Sequence, residues 1–275
     1  MNPPRKDCPL FIGAKPRIIG HRGARGKAPE NTIPSFQRAL EDGAQFLELD
    51  VHGTKEGDLV IIHDATLERT TNGRGQVKRQ ALKDLKALDA GHWFNSDGGA
   101  SYPYRGQKIS LPTLEEFFGA LPKAKTIIEI KQERPPIVHM VIETVRRFGK
   151  DEQVLLATEK DVIMQNIRRE IQENDLAIAT GFSYGEVSAF MGWLARGKSG
   201  QYVPPGEALQ IPCQYSGMTL VSEETVNAAH DMGVEMYVWT VNDTEEMERL
   251  LRLEVDGIIT DYPDRLRDVI LRHHP

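Results

Sequence analysis

Short apolar, β-branched runs alternate with amphipathic segments along almost the whole chain. Runs such as RIIG, TIIEI and GIIT are brief and isoleucine-rich, which predicts buried strands. The pattern places strands at about Arg17–Gly20, Ala44–Leu49, Thr126–Ile130, Gln153–Ala157, Leu176–Thr180, Ala208–Ile211, Val234–Trp239 and Gly257–Thr260. Helical periodicity follows most of them, over Thr32–Asp42, Pro136–Phe148, Lys160–Glu173, Glu223–Met232, Thr244–Leu253 and Pro263–Leu271. In Thr244–Leu253, for instance, Met247, Leu250 and Leu251 share one face and charges hold the other. Strand–helix alternation implies parallel strands joined by right-handed crossovers. A set of eight such strands predicts a closed (β/α)8 TIM barrel, with a doubly wound open sheet as the alternative.

One segment breaks the rhythm. From Asp58 to Leu111 the chain holds a strand-like LVIIH, a turn at Asn72-Gly73, a short helical KDLKAL and a Gly/Ser/Tyr/Pro-rich stretch. That is too long for an ordinary connection. It is expected to be a small insertion after the second strand, on the face where strand C-termini gather, within one catalytic domain spanning 1–275. The stretch FSYGEVSAFMGWLARGKSGQYVPPG is less regular. Its Phe182, Phe190, Met191 and Trp193 fit either a core helix or an apolar substrate mouth.

Composition narrows the function. A chain of 275 residues with 40% hydrophobic and 27% charged residues is an ordinary globular protein with a large core. A net charge of −6 argues against a nucleic-acid binder, which needs a basic face. Cys8 and Cys213 form no spacing motif and fit a reducing compartment. The apolar run Pro9–Gly13 is too short for a signal core, and no stretch approaches a membrane span, so the cytoplasm is the expected location.

Carboxylates mark the candidate site. Glu48 and Asp50 alternate around Leu49 at the end of an apolar strand and should point the same way. Glu129 ends TIIEI similarly. Strand C-termini converge in a parallel barrel, and three oxygen ligands suit Mg²⁺ or Ca²⁺ better than zinc. Lys131 should share the side of Glu129, and Arg22 follows the first strand, so both can contact a phosphodiester. His21 and His63 each follow an apolar strand and form a candidate acid/base pair. His52 is expected to point away from the neighbours of Asp50 or to sit in a loop, and His92 is a weaker candidate still. His139, His230, His273 and His274 are expected on helices or the tail. Trp239, ending MYVWT, fits a substrate wall or the barrel–helix core.

Together, HRG, PENT, ELDVHGTKEGDLVIIHDATLERTTNGRGQV, LDAGHWF, PTLEEF, IIEIK and VWTVNDTEEMERLLRLEVDGIITDYPD resemble the glycerophosphodiester phosphodiesterases. The resemblance runs in family order from Arg17 to Arg267 and includes the insertion. It implies a TIM barrel carrying that insertion and metal-dependent hydrolysis of a small glycerophosphodiester to glycerol 3-phosphate and an alcohol. By the match, His21 and His63 look like the catalytic pair and Glu48, Asp50 and Glu129 like ligands of a divalent cation. Arg22 and Lys131 look like phosphate contacts, and Trp239 like a substrate-facing wall. Glu254 stands where a glycine is usual, read as a helix-end substitution without catalytic consequence. The alternative is a lysophospholipase D acting on acylated glycerophosphodiesters, for which the Phe182–Trp193 stretch would supply the apolar mouth.

Overall fold

A computed structural model describes residues 8–273, so His274 lies outside the described residues. The barrel strands are β1 (Arg17–Gly20), β2 (Phe46–Gly53), β3 (Lys125–Ile130), β4 (Val154–Ala157), β5 (Ala179–Thr180), β6 (Ala208–Pro212), β7 (Glu235–Trp239) and β8 (Gly257–Thr260). Each pairs in parallel with its neighbours in the order β5-β4-β3-β2-β1-β8-β7-β6. One parallel bridge, Gly181 to Ala208, and the 2.9 Å hydrogen bond from Glu207 N to Thr180 O link β5 to β6 and close the ring. The barrel expectation holds, and the open sheet is set aside.

Strand alternation sorts the side chains. Ile19, Phe46, Ile127, Leu155, Ala157, Ala179, Ala208, Tyr237 and Ile259 fill the interior as one cluster. Their neighbours, such as Ile18, Leu47, Ile128, Leu156, Leu209, Met236 and Ile258, turn outward against the helices. The N-terminal end of the barrel is stoppered by the turn Pro9–Phe11, which seats Leu10 in the interior cluster. Arg17 bonds Phe11 O, and Lys125 Nζ donates to Leu10 O at 2.7 Å. Chemistry is therefore confined to the opposite mouth.

Two elements differ from expectation. β2 continues past Leu49 to Gly53, because Val51–Gly53 gain antiparallel partners in Leu59–Ile61. Glu48 and Asp50 thus lie inside a strand rather than at its end, where both are rigid. The stretch after Phe182 is a helix, Tyr184–Ala195, at whose start the backbone N–H of Ser183 donates to Glu186 Oε2 at 2.9 Å. Phe182, Phe190 and Leu194 are buried in the outer core, and Trp193 stacks on Tyr202 at 5.3 Å. These residues follow the core-helix reading and do not form an apolar mouth.

Between β2 and the helix Leu114–Ala120, the chain carries the short strand Leu59–Ile61, a 3-10 turn Val77–Arg79 and a helix Leu82–Lys86. Val60, Ile62, Leu67, Val77, Leu85, Ala90 and Leu111 give this segment an apolar cluster of its own.

Candidate active site

The interior parity of each strand, continued toward the mouth, delivers the polar residues. Phe46 leads to Glu48 and Asp50, Ile127 to Glu129 and Lys131, Ile19 to His21, Tyr237 to Trp239, and Ile259 to Asp261. In register, Asp50 sits beside Glu129. Ligand oxygens of Glu48, Asp50 and Glu129 lie within 4.8 Å of one another, a group able to hold a metal ion.

The electrostatics of this cluster are strained. Burial, reinforced by Asp50, raises the carboxyl pKa of Glu48 well above its ordinary value. Burial also raises Glu129, with Lys131 opposing and Asp50 adding. Burial works against the charge of Asp50 too, but Lys131, Arg22 and His63 outweigh it and hold that carboxyl low. Asp50 Oδ2 accepts from Asn31 Nδ2 at 2.9 Å. Asp50 Oδ1 is buried without a hydrogen-bond partner, although Lys131 Nζ stands 3.2 Å away. Arg22 Nε is likewise unpartnered, 3.2 Å from Asp50 Oδ2 but misaligned for a hydrogen bond. The orphaned acceptor Asp50 Oδ1 among crowded carboxylates fits a hard divalent cation.

Arg22 and Lys131 both reach the cluster. Arg22 donates its backbone N–H to Glu48 Oε2 at 2.9 Å and its guanidinium to Glu30 at 2.8 Å. Lys131 Nζ is 2.7 Å from Glu129 Oε2.

Each histidine of the pair has its own carboxylate. His21 Nδ1 is 2.6 Å from Asp261 Oδ1, and Asn242 Nδ2 donates to the other oxygen of Asp261 at 2.8 Å. His63 Nδ1 is 2.7 Å from Asp64 Oδ1, and Arg69 Nε donates to Asp64 Oδ2 at 2.6 Å. Engaging Nδ1 fixes the ring and leaves Nε2 for the mouth. Burial lowers the pKa of His63 against the pull of Asp50 and Asp64. The hydrogen bond from Arg69 draws Asp64 down to about 2. Arg69 also forks onto both oxygens of Glu30 at 2.8 Å each. Burial opposes the charge of Glu30, yet Arg69 and Arg22 hold it far below the usual carboxylate range.

His52 departs from expectation. It shares the parity of Glu48 and Asp50, is buried, and its Nε2 lies 3.1 Å from His63 O. It thus steadies the backbone of His63 instead of pointing away from the site. His92 packs edge-on against Trp93, His139 meets Glu170 at 2.8 Å, and His230 meets Asp256 at 2.8 Å. His273 closes the last helix. Trp239 ends β7 beside Pro212 with 37% of its surface open.

Sequence reasoning assigned no role to Glu30, Asn31, Asp64, Arg69, Asn242 or Asp261. Asp261 was findable, since it prolongs the inward parity of GIIT as Lys131 prolongs that of TIIEI. Glu30 and Arg69 were not, because 39 positions separate partners that meet only in the folded mouth.

Residues 21–265 match the model of the glycerophosphoryl diester phosphodiesterase family. A glycerophosphodiester phosphodiesterase of Caldanaerobacter subterraneus subsp. tengcongensis is 33% identical over 261 residues, covering 93% of this chain and 98% of its own. A lysophospholipase D of Mus musculus is 27% identical, covering 92% of this chain and 85% of its own. A solved Oleispira antarctica phosphodiesterase, in complex with the product sn-glycerol-3-phosphate, is 25% identical with a TM-score of 0.74, covering 93% of this chain and 96% of its own. No helix among the described residues is long and apolar enough to cross a membrane. By the family match across most of its length, its (β/α)8 barrel and its identity to curated relatives, the chain belongs to the glycerophosphoryl diester phosphodiesterase family of phosphoric diester hydrolases.

Proposed function

We propose that this chain hydrolyses small glycerophosphodiesters to glycerol 3-phosphate and an alcohol, with His21 and His63 as the acid/base pair. The observation that carries the reading is the meeting, on one mouth, of three crowded carboxylates with two imidazoles each anchored through Nδ1. Glu48, Asp50 and Glu129 would hold the divalent cation, Mg²⁺ or Ca²⁺. Bound there, the cation supplies positive charge that orients the diester and neutralises its phosphoryl oxygens.

The remaining work belongs to the chain itself. Arg22 and Lys131, already at the rim of the carboxylate cluster, contact the phosphate and offset charge as it builds. One histidine takes the proton of the nucleophile at Nε2, and the other gives a proton to the oxygen of the departing alcohol. The nucleophile is either water or the glycerol 2-hydroxyl, which would pass through a cyclic phosphate. Asp261 and Asp64 are positioning residues that stabilise each imidazolium. Trp239 packs on the glycerol carbons. We read 58–111 as an insertion of this single catalytic domain, since it brings His63, Asp64 and Arg69 to the mouth. A deacylated substrate is favoured over an acylated one because Phe182 and Phe190 are buried.

Chelation tests the reading. Activity toward glycerophosphodiesters should vanish in excess chelator and return with Mg²⁺ or Ca²⁺; undiminished turnover without a cation would overturn it.

A further inference from the structure

We propose that Glu159, Tyr184 and Tyr215 form a subsite at the mouth for a quaternary ammonium head group on the leaving alcohol of the diester. The inference rests on the hydrolase reading and names a substrate class within it. β4 ends at Ala157, the register partner of Glu129. Glu159, two residues further, keeps the inward parity of Leu155 and Ala157 and stands exposed above the carboxylate cluster. Its side chain has no hydrogen bond or ion pair among the described residues, and the adjacent Lys160 turns 3.9 Å from Glu133 instead. Glu159 lies close enough to Tyr215 to act on its hydroxyl electrostatically.

Backbone geometry ties the aromatic rings to this charge. Tyr184 N donates to Glu159 O at 2.9 Å. The rings of Tyr184 and Tyr215 stand 6.0 Å apart at 65°, and their hydroxyls are 3.4 Å apart. Tyr215 rides on a hairpin, Gln214–Tyr215 against Met218–Thr219, that leaves the end of β6 just after Pro212, the register partner of Trp239. Tyr184 and Tyr215 are 57% and 48% exposed, so their ring faces are open. A trimethylammonium group offers no hydrogen-bond donor. Electron-rich rings beside an unpaired carboxylate are what can recognise it. The partner across the phosphate would be the glycerol moiety, seated deeper against the carboxylates.

The test compares kcat/KM for glycerophosphocholine with that for its uncharged isostere, the 3,3-dimethylbutyl diester. The parent enzyme should prefer the choline diester by on the order of tenfold. Glu159→Gln and Tyr215→Leu should each cut that ratio about fivefold, and Tyr215→Phe, which keeps the ring, should preserve it. Choline should inhibit where 3,3-dimethylbutanol does not. A parent without preference, or a ratio unmoved by Glu159→Gln, overturns the subsite and leaves the hydrolase standing. Failure to turn over either diester with cation supplied overturns the hydrolase reading, and the subsite with it.

Discussion

At the scale of single residues, two imidazoles with the same chemistry are made usable by different anchors. His21 leans on Asp261, itself held by Asn242, and His63 leans on Asp64, held by Arg69. His21→Ala and His63→Ala should each lower kcat by about 10²-fold or more, as for loss of a general acid or base. A p-nitrophenyl diester should rescue the variant that lost the acid, because that leaving group needs little protonation; rescue of neither would remove the acid assignment. The metal-ligand candidates and both histidines were legible in the sequence because each interrupts or follows an apolar run. The Glu30–Arg69 pair was not, because its 39-position separation closes only in the folded barrel, whereas Asp64 adjoins His63 in the sequence. Glu254 yields a separate expectation. It follows the helix Thr244–Arg252 with φ +57°, a left-handed conformation that glycine adopts without steric cost. Glu254→Gly should therefore stabilise the fold by about 1 kcal/mol in denaturant unfolding, with kcat unchanged.

At the scale of elements, strand parity explains most of what the pattern could predict. Alternation in RIIG, TIIEI and GIIT sets which residues fill the barrel, and the same alternation, prolonged, sets which reach the mouth. The end of β2 was misplaced because its last residues are held by Leu59–Ile61, a pairing invisible to local periodicity. The same misplacement hid His52, whose parity is that of Asp50. Composition alone could not orient the aromatics after Phe182, since an apolar helix reads alike whether it faces a core or a cleft. Trp239 obeys parity: it ends β7 on the inward face and stays partly open. Trp239→Ala should lower kcat/KM in a substrate-dependent way while shifting the melting temperature by only a few degrees. A core tryptophan would instead cost roughly 3–5 kcal/mol on truncation. A large fall in melting temperature without a kinetic effect would refute the wall assignment.

At the scale of the whole molecule, the fold carries an electrostatic load that a cation should relieve. Burial raises the folded-state pKa values of Glu48 and Glu129. The folded protein therefore binds protons there that the unfolded chain releases, and stability falls as pH rises through those raised values. A divalent cation replaces the protons, so its stabilising effect should be large at pH 8 and shrink toward pH 5, where protons compete for the same oxygens. Glu30 and Asp64 run the other way. Their pKa values are lowered, Asp64 to about 2, so the stability they confer is present above the ordinary carboxylate pKa of about 4 and is lost as pH falls below it. Thermal unfolding at pH 8 and pH 5, both above that loss, with and without Mg²⁺ or Ca²⁺, isolates the contribution of Glu48 and Glu129. The increment from the cation should be greater at pH 8, and Glu129→Gln should raise the cation-free melting temperature there while shrinking the increment. An increment equal at both pH values would mean that the cation binds somewhere other than these carboxylates. A Glu129→Gln variant less stable than the parent without cation would show that Glu129 acts chiefly as a partner of Lys131, whose ammonium it meets at 2.7 Å.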